Sequence, residues 1–101
     1  MKFKRFAYIF LMPGFSSEEH VAVMHHNEFQ FKTVGIDFSK KDDVIDVAKQ
    51  LVSEGYQMLE LCGGFGPEWI YKVRQAIQDA VPVGGVFYGP EARKPLVDLL
   101  T

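Results

Sequence analysis

Three residues carry side chains suited to acid–base or nucleophilic chemistry: Glu60, Cys62 and His20. Glu60 alternates with Leu59 and Leu61 in an apolar run that is typical of a covered strand. A carboxylate buried in such a strand must pair with a partner or take up a proton. It could therefore serve as a general acid or base, or hold a positively charged group of a ligand. The alternatives are a structural ion pair and exposure of a strand that is less covered than the pattern indicates.

Cys62 and His20 are the other two candidate catalytic residues. Cys62 precedes a predicted helix, whose positive N-terminus favours a thiolate, so a nucleophilic or redox-sensitive role is one interpretation. The alternative is a small buried apolar residue. His20 follows the first strand's exit loop and could reach the same region. His25 and His26 are adjacent and point to different sides of a helix or strand, so no metal site is predicted.

A glycine-rich turn follows directly: Gly63, Gly64, Phe65 and Gly66, with Pro67 opening a helix. Glycines let the backbone approach a ligand closely, and a helix N-terminus offers free N–H groups and partial positive charge. A small anionic ligand, a carboxylate or a phosphate, is therefore predicted at this turn. The spacing matches neither a P-loop nor the dinucleotide-binding pattern, and a tight strand-to-helix turn is the structural alternative.

Four strands and four helices are expected to position these residues. Residues 4–12 form a nearly unbroken β-branched and aromatic run, which predicts a strand covered on both faces. The other strands are predicted at residues 29–38, 56–62 and 81–88. Helices are predicted over residues 17–25, from Ser39 to Gly55, from Pro67 through Ile77, and from about Pro95 onward.

This alternation predicts an α/β fold with a four-stranded, mostly parallel sheet. The two most apolar strands, the first and third, should lie in the middle and the half-polar second strand at an edge. The result is a flavodoxin-like order 2-1-3-4 with helices on both faces. The alternative is a ferredoxin-like α+β sandwich, in which the helix over residues 17–25 packs on the sheet and one strand is antiparallel.

The predicted strand order also locates the ligand site. It reverses between strands one and three, and ligands of open parallel sheets bind beyond the carboxyl ends at such a point. Pro13 and Gly14, in the exit loop of strand one, would then face the glycine turn. Tyr88, at the end of strand four, would supply a hydroxyl to the rim.

Composition and charge narrow the function classes. The 101 residues are 48% hydrophobic with a net charge of -2, which predicts one α/β domain over residues 1–101 that folds without a metal or cofactor. Acidic and basic residues are mixed, so neither nucleic acid nor a membrane surface is an expected partner. The single cysteine is compatible with the cytoplasm. Open sheet edges and abundant aromatic residues favour a homodimer.

The sequence resembles a family of bacterial proteins of about this length that has no assigned function. The resemblance lies in residues 8–10, 13–15, 19–20, 60–68 and 81–84, and above all in the Glu-Leu-Cys-Gly-Gly-Phe-Gly stretch. It implies a stand-alone cytoplasmic domain and transfers no catalytic residue. The leading hypothesis is a domain that binds a small anionic metabolite, with a small enzyme using Glu60 or Cys62 as one alternative. The other is a non-catalytic protein that oligomerises or docks on a partner.

Overall fold

A mixed α/β architecture is built around a five-stranded sheet in the computed structural model, which describes residues 1–101. The elements are β1 (Arg5–Leu11), β2 (Val21–His26), β3 (Phe29–Ile36), α1 (Asp43–Ser53), β4 (Met58–Leu61), α2 (Gly66–Ala76), β5 (Val83–Gly85) and α3 (Arg93–Leu100), with 3₁₀ turns at Phe38–Lys40 and Pro90–Ala92. The strand order is β2-β3-β1-β4-β5. β2 and β3 pair antiparallel, and the other three pairings are parallel.

The α/β class is confirmed, and the sheet differs from the prediction in detail. The four parallel strands stand in the order β3-β1-β4-β5, which corresponds to the predicted 2-1-3-4. A fifth strand, β2, is added outside β3. The predicted edge position of the half-polar strand is therefore wrong, because β2 covers the outer edge of β3 and makes it an interior strand.

The predicted helix over residues 17–25 is wrong, since most of that segment forms β2. Ser16 accepts hydrogen bonds from the N–H groups of Glu19 and His20, so one helical turn does form at the start of this segment. The chain then enters a β-branched stretch and reverses at Asn27, whose positive φ of 54° is typical of a two-residue hairpin. The ferredoxin-like alternative required this helix, so it does not describe the fold either.

Helices on both faces were also predicted, and this too is wrong: α1 and α2 lie on the same face. The connections β3-α1-β4 and β4-α2-β5 both move across the sheet in the same direction, toward β5. Because parallel crossovers are right-handed, two crossovers in the same direction place their helices on the same face of the sheet. The two helices accordingly contact each other. Their buried residues, such as Val44, Leu51 and Val73, pack with Ile9 and Leu61 in the core.

The opposite side of the sheet, which we call the open face, carries the alternate residues of each strand. In β1 these are Phe6, Tyr8 and Phe10, all half-buried, whereas Ala7 and Ile9 between them are fully buried beneath the helices. The rings on the open face shield one another: Phe6 lies 5.1 Å from the Phe31 ring and Phe10 lies 5.7 Å from the Phe15 ring. Aromatic self-packing thus replaces the second helical layer that an unbroken apolar run predicted.

The last helix, α3, stands apart from the rest of the chain. Its main contact is with the 3₁₀ turn Pro90–Ala92 that precedes it, and none of its residues is buried. The molecule is correspondingly elongated, with extents of 41 × 26 × 24 Å. Neither this helix nor α1 or α2 combines the length and apolar character needed to cross a bilayer.

Candidate functional site at the carboxyl edge of the sheet

The exits of β1 and β4 lie side by side, at the point where the strand order reverses. β1 pairs with β3 on one side and with β4 on the other, and the register sets Tyr8 beside Glu60. Both side chains belong to the open face, as does Cys62 one step beyond β4. The structure therefore brings together a phenol, a carboxylate and a thiol near the carboxyl edge.

Glu60 occupies a different environment from the one that its apolar neighbours indicated. Leu59 and Leu61 point toward the helices and are fully buried, whereas Glu60 is half-buried on the open face. The premise of a strand covered on both sides is therefore wrong for β4. Glu60 takes part in none of the five ion pairs and in none of the side-chain hydrogen bonds of the protein. It is a half-buried carboxylate without a partner.

Tyr8 is a member of the site that the sequence analysis did not single out. Partial burial, followed by the proximity of Cys62, Tyr88 and Glu60, raises the pKa of its phenol above the ordinary value. The hydroxyl therefore stays protonated through the neutral range and can donate a hydrogen bond. A tyrosine at an alternate position of an otherwise apolar strand was the available signal, but only the strand register assigns it to Glu60.

Cys62 connects the two strand exits. Its Sγ accepts a hydrogen bond from the Leu11 N–H at 3.4 Å, and its own N–H donates to the Ile9 carbonyl at 3.0 Å. The thiol is half-buried, and it forms no hydrogen bond to a histidine that could activate it as a nucleophile. Its contacts fit a residue that aligns β1 with β4 and borders the site.

The glycine turn has structural reasons for all three of its glycines. A Cβ on Gly64 would lie 3.0 Å from Leu11 Cδ1, and Gly66 has a φ of +77°, which disfavours any side chain. At Gly63 a Cβ would lie 2.9 Å from the Tyr88 ring, so Tyr88 packs on the turn. The contribution of its hydroxyl to the rim of a ligand site stays a prediction. Phe65 differs from the prediction: its side chain is buried in the core beside Trp69.

The N–H groups of this turn are nevertheless free. Those of Gly63, Gly64 and Gly66 donate to no backbone or side-chain acceptor, whereas the Phe65 N–H donates to the Cys62 carbonyl. Unpaired N–H groups at the start of a helix of eleven residues favour negative charge. This feature was predicted from the glycines and Pro67.

His20 lies on the far side of β1 from Glu60. Its carbonyl accepts from the Gly35 N–H of β3, its Nδ1 accepts from the Ser16 N–H at 2.9 Å, and its ring stacks on Phe15 at 4.3 Å. The side chain pins the loop that follows β1. The structure therefore does not bring His20 together with Glu60 and Cys62.

Pro13 and Gly14 are exposed in the same loop, and Asp37 holds it in place. The Asp37 carboxylate accepts hydrogen bonds from the Gly14 N–H and from the hydroxyl and N–H of Ser39. The Ser39 hydroxyl first, and then the two N–H groups, lower the pKa of Asp37 to about 2. Ser39 was the predicted helix cap, but Asp37 caps the 3₁₀ turn there; an aspartate at the end of a strand was the overlooked signal.

No group of three histidine, cysteine or acidic side chains is arranged to hold a metal ion. His25 and His26 lie on opposite faces of β2 and are both exposed. Seven surface cavities are present, and the five main ones, of about 260–510 Å³, are lined by residues other than Glu60, Cys62 and the glycine turn. The candidate site is thus a shallow surface of converging polar groups.

Comparison with known proteins identifies a family and no function. No curated protein and no solved structure matches the chain. A family model described as a family of unknown function, DUF6506, matches residues 4–101, in agreement with the expected family of about 100 residues without an assigned function. The chain therefore belongs to the family of unknown function DUF6506.

Proposed function

We propose that this protein binds a small metabolite on the open face of its sheet, at the carboxyl edge. The observation that carries the proposal is Glu60, a half-buried carboxylate with neither an ion pair nor a hydrogen bond, beside the phenol of Tyr8. Partial burial of a charged group without a partner costs free energy. A ligand that donates a hydrogen bond or carries an ammonium group would offset that cost.

The free N–H groups of Gly63, Gly64 and Gly66 support an anionic group at the other end of the ligand. Glu60 and Gly63 are three residues apart, about 10 Å along an extended chain. A single small molecule can span that distance. The proposed ligand class is therefore a metabolite with a carboxylate or phosphate at one end and an amine or hydroxyl at the other, such as an amino acid with its amine at the far end of the chain or a phosphorylated amine.

Binding is preferred to catalysis because the candidate catalytic residues do not form a set. Cys62 has the Leu11 N–H as its hydrogen-bond partner, and His20 is held on the β3 side of β1 by Ser16 and Phe15. Acid–base or nucleophilic chemistry needs two such groups within hydrogen-bond reach. The alternative of a small enzyme therefore has less support than a binding site.

The single cysteine provides the test. The purified protein is screened against amino acids and phosphorylated amines, with the rate of Cys62 alkylation by iodoacetamide and the melting temperature as readouts. A ligand is expected to slow alkylation and raise the melting temperature, and Glu60→Gln should abolish both effects. Glu18→Gln, an exposed carboxylate in the loop after β1, is the matched control and should retain them. Protection that persists in Glu60→Gln, or no protection by any compound, would refute the proposal.

A further inference from the structure

Two apolar surfaces of this chain have no partner within it. The first is a groove of about 340 Å³ on the open face, which we call the aromatic groove. Five of its nine lining residues are apolar, namely Phe3, Phe6, Met24, Phe29 and Phe31, and the other four are polar or charged. Met24 is 64% exposed and Phe29 is 43% exposed. The second is the apolar side of α3, where Val97, Leu99 and Leu100 are 51%, 79% and 65% exposed.

We infer that the protein is a homodimer in which α3 of each copy packs into the aromatic groove of the other. An eight-residue helix with no buried residue is too short to be stable alone in water, so a surface to pack on would stabilise α3. The groove offers such a surface, because its rings pack against one another at tilted angles of 57° and 39° and Phe3 and Phe29 remain exposed.

The exposed area matches what a dimer would bury. The chain exposes 6798 Å², about 1000 Å² more than the roughly 5800 Å² that scaling predicts for a folded monomer of this mass. A stable protein–protein interface of ordinary size buries about 800 Å² on each partner. The excess surface of one chain is therefore enough for one interface of that size with a second copy.

The helix lies away from the groove of its own chain, and none of the residues that line the groove belongs to α3. The groove centres on Phe31 of β3, which is three strands from β5 and so about 14 Å across the sheet. Across the sheet, Phe31 is level with Phe6 and Met58. Gly85, the last residue of β5, is level with Leu61, which follows Met58 by three residues. The groove therefore lies about 10 Å back along the strand direction from the end of β5. The chain first continues from Gly85 beyond the carboxyl edge to Tyr88, which packs on Gly63. An eight-residue helix is only about 12 Å long, so α3 of the same chain would reach the groove only if residues 89–92 also turned back along the sheet. A second copy can present its α3 to the groove without that rearrangement.

Sedimentation equilibrium over a range of protein concentrations tests the inference. The unmodified protein is expected to be dimeric at high micromolar concentration. Met24→Glu in the groove and Leu100→Glu on α3 should each weaken the dimer by about tenfold or more, because a carboxylate would have to be desolvated at the contact. Tyr71→Glu, which changes an exposed aromatic residue on α2, is the control and should leave the dimer intact. Circular dichroism checks that each variant is folded.

A mixing experiment distinguishes helix exchange from other dimers. Met24→Glu and Leu100→Lys are each expected to be mainly monomeric, and their mixture should form a heterodimer with one unchanged contact and one with opposite charges. A monomeric unmodified protein would overturn the inference. So would a dimer that Met24→Glu disrupts and Leu100→Glu does not, because that result indicates stacked sheets or paired β2 strands without a role for α3.

Discussion

Neighbouring residues of β4 should differ sharply in their contribution to stability, because they lie on opposite faces of the sheet. Leu61 is fully buried beneath the helices, and Leu61→Ala removes three carbon atoms from the core. At about 0.8 kcal/mol for each carbon, the transfer term is about 2.4 kcal/mol. The remaining cavity adds to it, so we expect a loss of about 3 kcal/mol. For a domain of this size the melting temperature should fall by about 12–24 °C.

Glu60→Gln provides the matched perturbation one residue away. Glu60 has no ion pair or hydrogen bond, and the glutamine is nearly the same size, so the free energy of unfolding should change by no more than about 0.5 kcal/mol. Urea denaturation, followed by the fluorescence of the single tryptophan, Trp69, measures both variants. A loss of about 3–5 kcal/mol in Glu60→Gln would instead indicate a buried charge pair. That result would refute the assignment of Glu60 to an open face.

Two further perturbations test the loops at the carboxyl edge. The hydrogen bonds that lower the pKa of Asp37 to about 2 from 3.8 stabilise the fold fully above pH 3.8, and this contribution is lost as the pH falls through about 2. Asp37→Asn should therefore flatten the acid dependence of the melting temperature in that interval, and an unchanged profile would contradict the assignment. Gly66→Ala should cost about 1–2 kcal/mol because of its positive φ. Gly84→Ala is the control, because a Cβ at this position meets only Glu60 Cγ at 4.0 Å, and it should change the free energy of unfolding by less than about 0.5 kcal/mol. Equal losses for the two variants in urea denaturation would refute the role of the positive φ at Gly66.

The elements that were predicted correctly are those with a long, regular pattern. In α1 the apolar spacing of Val44, Ala48 and Leu51 was sufficient, and in α2 Pro67 fixed the start. β2 was missed because six residues are too few to separate a strand from a helix by periodicity. Its hairpin turn has Asn27 followed by a glutamate, without the glycine that usually marks such a turn.

Coverage of the sheet could not be derived from the pattern of any one strand. An unbroken apolar run requires that both faces of β1 be protected from water, but it does not specify by what. Phe6, Tyr8 and Phe10 satisfy the requirement through contacts with rings from β3 and from the loop after β1. The same limit applies to the site: the pairing of Tyr8 with Glu60 depends on the register of two strands that are about fifty residues apart.

The glycine turn carries less weight for a ligand than its composition indicated, because packing accounts for Gly63 and Gly64 and backbone conformation accounts for Gly66. What those explanations do not cover is the set of unpaired N–H groups and the partnerless carboxylate of Glu60. An anion bound at the N–H groups alone would be repelled by Glu60 nearby. A ligand with charges of both signs, or with a donor group facing Glu60, satisfies both features at once. Simple anions such as phosphate should therefore protect Cys62 less well than an amino acid or a phosphorylated amine of similar size.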